Sequence, residues 1–127
     1  MRSGVLSVLN RPLAGRLILL VEDEPLVAIE LDNALRASGA RVVSAGYVEA
    51  GLFTTEHPDL SAAVIDLHLG DGSGITVCRR LRHLRVPFLV YTGYPRMLIA
   101  PEWNDVPIIS KPARSQDITA QLAQMLA

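Results

Sequence analysis

The stretch LILLVED, Leu17–Asp23, decides the fold. An unbroken aliphatic run this short, closed by two carboxylates, reads as a strand covered on both faces. The pattern recurs three times. AAVI (Ala62–Ile65) ends on Asp66, FLVY (Phe88–Tyr91) ends on Thr92, and IIS (Ile108–Ser110) ends on Lys111. In a parallel α/β sheet, ligands bind at the carboxyl ends of the strands. Glu22, Asp23, Asp66, Thr92 and Lys111 are therefore expected to converge on one edge, a set suited to a divalent cation and a phosphoryl group.

Between these runs the pattern turns helical. Glu24-Pro25 opens a helix whose stripe of Val27, Leu31, Ala34 and Leu35 faces a core, and Ser38-Gly39 closes it. Arg41–Ala45 reads as a less apolar strand near a sheet edge. Val48–Glu56 is a second helix, stopped by His57-Pro58. After the Asp66 strand comes a glycine-rich loop, then a helix from Ile75 to Leu84 with Ile75, Cys78 and Leu81 inward. Between Thr92 and Lys111 the chain has room only for one brief helix near Arg96–Ala100. Ser115 is placed as the cap of a last helix that turns Ile118, Leu122 and Met125 inward. Strands alternating with helices imply right-handed crossovers and a parallel sheet.

The bulk properties narrow the function. The chain of 127 residues is about one domain long. Residues 1–15 read as an N-terminal extension in which Val5, Leu6, Val8 and Leu9 pack on a neighbour, and 16–127 as the domain. A net charge of −1 argues against a nucleic-acid surface. No uncharged apolar run is long enough to span a membrane. Cys78 is the one cysteine, which fits a reducing, cytoplasmic setting and a small hydrophobe in a helix. Lys111 is the one lysine, beside eleven arginines. Arg79, Arg80, Arg82 and Arg85 read as a solvated helix face. The initial Met and the end of the last helix favour a complete, stand-alone protein.

Carboxylates packed together repel one another unless a cation intervenes. Mg²⁺ takes oxygen ligands, typically one or two carboxylates with water and a phosphate. Helix N-terminal charge accounts for Asp23 and Glu24 but not for Asp66, which precedes a loop. A carboxylate also attacks phosphorus as a nucleophile. Asp66 is the candidate, with Lys111 a point charge and Thr92 a hydroxyl donor to phosphoryl oxygens.

These segments together, VED at 21–23, VIDLHLGDGSG at 64–74, VYTG at 90–93 and SKP at 110–112, resemble the receiver domains of two-component response regulators. The resemblance covers Arg16 to the end. It implies a (βα)5 flavodoxin-like fold: a five-stranded parallel sheet of order 2-1-3-4-5, helices on both faces, and a cis Lys111–Pro112 bond. It implies Asp66 as phospho-acceptor and Mg²⁺ held by Glu22, Asp23, Asp66 and the His68 backbone carbonyl. Thr92 is then the switch hydroxyl and Lys111 the phosphate-binding lysine. The implied activity is Mg²⁺-dependent self-phosphorylation with slow autodephosphorylation, not classical enzyme turnover. The implied partners are a sensor histidine kinase or histidine phosphotransferase and a downstream protein target.

The chain departs from the family in three places. Gly70 stands where most receivers have proline. Ile108 stands where a switch aromatic is usual. The span from Thr92 to Lys111 is short, so the fourth helix is expected to be stunted or irregular. DLHLGDGSG and FLVYTGYP are similar to a stand-alone alphaproteobacterial subgroup with an F-A-T-G-x-Y motif, which pairs with kinases of the HWE/HisKA2 type. In that case Tyr94 or Tyr91 replaces the missing ring. The alternative is a pseudo-receiver, a binding module that is never phosphorylated.

Overall fold

The structure is a computed structural model and describes residues 11–127. Val5, Leu6, Val8 and Leu9, expected to pack on a neighbour, lie outside the described residues. Nine main elements follow in order: β1 (Leu17–Val21), α1 (Pro25–Ala37), β2 (Arg41–Ala45), α2 (Val48–Thr54), β3 (Leu60–Ile65), α3 (Ile75–His83), β4 (Phe88–Thr92), β5 (Ile108–Ser110) and α4 (Ser115–Met125). The five strands are parallel and ordered β2-β1-β3-β4-β5, as expected. β2 is an edge strand, which explains its alternation of exposed and buried residues.

The central strands bury both faces, and their period-2 alternation divides the core in two. On one face Leu19, Val21, Ala63, Ile65 and Val90 meet Val77, Cys78 and Leu81 of α3, with Ala50 and Leu52 of α2. On the other, Ile18, Leu20, Val64, Leu89 and Tyr91 meet Leu31 and Leu35 of α1 and Ile118 and Leu122 of α4. Each such aliphatic side chain contributes roughly 1.5–3 kcal/mol on burial. Leu13, assigned to the extension on sequence, is fully buried in this second cluster, and its N–H donates to the Ser38 carbonyl at 2.8 Å.

Helix ends follow local chemistry with one correction. Gly39, at φ +98°, takes the left-handed turn that ends α1. Ser115 does not cap α4: it is the first helical residue, Arg114 occupies the capping position, and no side chain bonds the free N–H groups there. Instead Asp117 lies in the first turn, where its charge favours the helix N-terminus.

The stretch between β4 and β5 holds two single-turn 3₁₀ helices, Arg96–Leu98 and Pro101–Trp103, in place of a fourth α-helix. Pro95 and Pro101 frame the first of them and leave too few residues for an α-helix. Among the described residues no helix is long and apolar enough to cross a membrane.

Candidate functional site

The ladder itself delivers the site. The N–H of Glu22 donates to the Ala45 carbonyl at 3.0 Å, that of Asp66 to Val21 at 2.9 Å, and that of Lys111 to Thr92 at 2.9 Å. Each residue is thus fixed one step past its strand, on the carboxyl edge of the sheet. Glu22, Asp66 and Thr92 are buried, and Asp23 is half-buried.

Asp66 is the hub. Its Oδ1 accepts from the Thr92 hydroxyl at 2.8 Å and from the His68 backbone N–H at 3.2 Å. Its Oδ2 accepts from Lys111 Nζ at 3.0 Å. The same ammonium reaches Glu22 Oε1 at 2.7 Å and Glu24 Oε1 at 2.9 Å. One cation at the end of β5 therefore holds three carboxylates that follow β1 and β3. Burial works against the Lys111 ammonium, but its bonds to Glu22, Glu24 and Asp66 outweigh that and raise its pKa. Burial also pushes the Glu22 carboxyl up to about 7, Asp66's charge adding to the rise and Lys111 opposing it.

Carboxylate oxygens of Glu22, Asp23 and Asp66 all lie within 4.8 Å of one another. The donors are all oxygen and crowd negative charge at one point, which fits a hard divalent cation. His68 enters through its backbone; its side chain is exposed. A short antiparallel ladder, His68–Leu69 against Gly72–Ser73, folds the following loop back. Gly74 closes it, its N–H donating to the Leu67 carbonyl at 2.9 Å. A side chain at Gly74 would collide with the Asp66 backbone carbonyl, so glycine here is a requirement of close approach.

Residues 18–123 match the model of the response regulator receiver domain family. This chain belongs to that family. It is 36% identical over 114 residues to the acid tolerance regulatory protein ActR of Sinorhizobium medicae, covering 84% of this chain and 58% of that protein. The receiver thus spans about three fifths of the length of that curated relative. Among solved structures it is similar to SdrG from Sphingomonas melonis Fr1, with 29% identity and a TM-score of 0.75 over 88% of this chain and 97% of that one. A Burkholderia pseudomallei response regulator with a phosphorylated aspartic acid and a calcium ion is 26% identical, with a TM-score of 0.76, covering 87% of this chain and 69% of that one.

All the side chains singled out on sequence meet at the receiver's sheet edge. The Lys111–Pro112 peptide bond is cis. One contributor was missed. Glu24 read only as helix-end charge, yet it shares Lys111; its place directly after Glu22-Asp23 was the available signal. Of the two tyrosines offered for the missing ring, Tyr91 is buried, and its hydroxyl exchanges two hydrogen bonds with the Ala113 backbone. Tyr94 is the exposed ring: it is 42% accessible, and its backbone N–H donates to the Thr92 hydroxyl at 3.2 Å.

Proposed function

We propose that this receiver takes a phosphoryl group from a partner histidine kinase or histidine phosphotransferase onto Asp66, and signals by protein binding or by passing the group onward. The observation that carries the reading is the double engagement of Asp66: a hydroxyl on one oxygen and an ammonium on the other. An Asp66 oxygen bonds to phosphorus while the donor's P–N bond breaks, and the electron pair of that bond stays on the imidazole nitrogen. Lys111 then shifts its ammonium from the carboxylate to a phosphoryl oxygen, and the Thr92 hydroxyl donates to another. Glu22, Asp23, Asp66 and the His68 carbonyl would hold Mg²⁺. When bound, the ion neutralises charge developing on the transferred group.

The report of this event runs through Thr92 to Tyr94. When the Thr92 hydroxyl turns toward a phosphoryl oxygen, it leaves the Tyr94 N–H and frees that exposed ring to move. Tyr94 thereby replaces the strand-5 aromatic absent at Ile108. A kinase of the HWE/HisKA2 type and a cytoplasmic setting belong to the same reading. The complete set of groups around Asp66 weighs against a pseudo-receiver.

The test is incubation with acetyl phosphate and Mg²⁺, followed by intact-mass measurement. The expected result is one phosphoryl adduct, stable in acid and labile in base, absent in Asp66→Asn. An adduct that persists in Asp66→Asn, or none in the parent protein, overturns the assignment.

A further inference from the structure

We infer that Tyr91 is a positioning residue for Lys111, setting how well that ammonium meets an anion on Asp66. The inference rests on the reading of Asp66 and Lys111 given above and adds a residue to it. Tyr91 is the penultimate residue of β4, next to Thr92, and is 6% exposed. Its hydroxyl donates to the Ala113 carbonyl at 3.2 Å and accepts from the Ala113 N–H at 3.0 Å. A single phenol oxygen therefore satisfies both backbone groups of one residue, two positions beyond Lys111. In the same side chain, the ring lies under the Lys111 ammonium, with Nζ 5.6 Å from the ring centroid. The ring face carries negative potential and attracts a cation at this range.

The two contacts act on Lys111 from opposite ends. The hydroxyl ties down the backbone that carries the lysine, and the ring receives its charged tip. The segment after β5 is otherwise weakly anchored: β5 is three residues long, Ser110 and Pro112 are exposed, and no side chain caps α4. An aliphatic residue at position 91 would still face this core but provide neither contact. The tyrosine thus serves the lysine as well as the packing. Three carboxylates compete for Lys111 when no phosphoryl group is present. The ring favours conformers in which Nζ stays above β4, close to the Thr92 side where phosphoryl oxygens arrive.

The experiment measures beryllofluoride affinity in saturating Mg²⁺ for the parent protein, Tyr91→Phe, Lys111→Ala and the double variant, with Mg²⁺ affinity measured alongside. Tyr91→Phe keeps the ring and the core. Loss of its hydroxyl bonds is expected to weaken beryllofluoride about fivefold, the size of one net hydrogen bond. Mg²⁺ affinity is expected to stay unchanged, a split that general loosening of the fold would not produce. In the Lys111→Ala background, Tyr91→Phe is expected to have no further effect, because the group it positions is gone. Unchanged beryllofluoride affinity in Tyr91→Phe overturns the inference, as does an equal loss in the Lys111→Ala background or a matching loss of Mg²⁺ affinity. A parent protein that binds no beryllofluoride overturns the assignment of the site itself, a different outcome.

Discussion

At the scale of single residues, Glu22 carries a measurable consequence. In the metal-free protein it holds a proton up to about pH 7, because burial and the Asp66 charge disfavour its anion. The unfolded carboxyl titrates near 4.5, so the fold binds the extra proton between those values. That contribution to stability is complete below about 4.5 and is lost as pH rises through about 7. A metal needs the deprotonated carboxylate. Mg²⁺ affinity is therefore expected to rise up to tenfold per pH unit below about 7 and to level off above it. Calorimetric titration in buffers of different ionisation enthalpy reads this as one proton released per ion at pH 6 and none at pH 8.5. Glu22→Gln removes the slope. A flat profile in the parent protein would place the raised carboxyl outside the metal's reach. Gly74 gives a second residue-scale expectation. Gly74→Ala drives a methyl into the Asp66 carbonyl, and denaturant unfolding should show a loss of roughly 2–4 kcal/mol.

At the scale of elements, the stretch between β4 and β5 shows how α3 does more than its sequence suggested. The expected solvated face of arginines is half a clamp. Arg82 lies 4.5 Å and Arg79 5.7 Å from the Trp103 ring centroid, and Phe88 meets the ring edge-on at 6.1 Å. Arg79 pairs with Glu102 at 3.1 Å, and Arg82 pairs with Asp105 at 2.8 Å while donating to the Glu102 carbonyl. The ion pairs are exposed and weak; the buried indole is the anchor. Trp103→Ala should cost about 3–5 kcal/mol in urea unfolding followed by circular dichroism, and Trp103→Phe much less. Arg82→Ala should cost about 1 kcal/mol. Equal losses for Trp103→Ala and Trp103→Phe would show that burial of an aromatic ring is not enough to hold this stretch and that the indole itself is required.

The same elements show what the sequence could and could not disclose. Short aliphatic runs ending on Glu22, Asp66, Thr92 and Lys111 made the strands and the edge they share legible, since periodicity and strand-end chemistry are local properties, whereas the order of the strands came only from the family resemblance. Trp103 meeting Arg79 and Arg82 is not local: the partners are some twenty residues apart and meet only because β4 returns the chain beside α3. Leu13 was hidden for a related reason, since nothing in a short, glycine-interrupted segment announces that it folds back on Ser38. The choice between Tyr91 and Tyr94 stayed open because both rings flank Thr92 in the sequence, and only the fold shows the Tyr91 hydroxyl meeting both backbone groups of Ala113. The missing cap at Ser115 turns on a one-residue shift in the helix start, the boundary that sequence patterns fix least well.

At the scale of the whole molecule, Lys111 joins what the sheet would otherwise push apart. Parallel strands deliver every strand-end side chain to one edge, so β1 and β3 necessarily bring Glu22 and Asp66 together in a buried place. The Lys111 side chain is 14% exposed and those of Glu22 and Asp66 are 2% and 4% exposed, so solvent screens the three little. Removing one partner of a buried ionic set leaves uncompensated charge, at a cost of about 3–5 kcal/mol. Lys111→Met keeps most of the side chain's volume and removes only the charge. It should destabilise the metal-free protein by that amount at pH 8, where the carboxyls are ionised. The loss should shrink toward pH 5, where Glu22 in the variant takes up a proton more readily than in the parent. Excess Mg²⁺ at pH 8 should restore much of the stability, because an ion among Glu22, Asp23 and Asp66 takes over the neutralising role. Urea unfolding at the two pH values, with and without Mg²⁺, separates the possibilities. A loss that is independent of pH and untouched by Mg²⁺ would mean that charge neutralisation is not what Lys111 contributes to stability. A loss that follows both would show that one ammonium holds this carboxylate-rich edge together electrostatically, a role that a bound cation can take over.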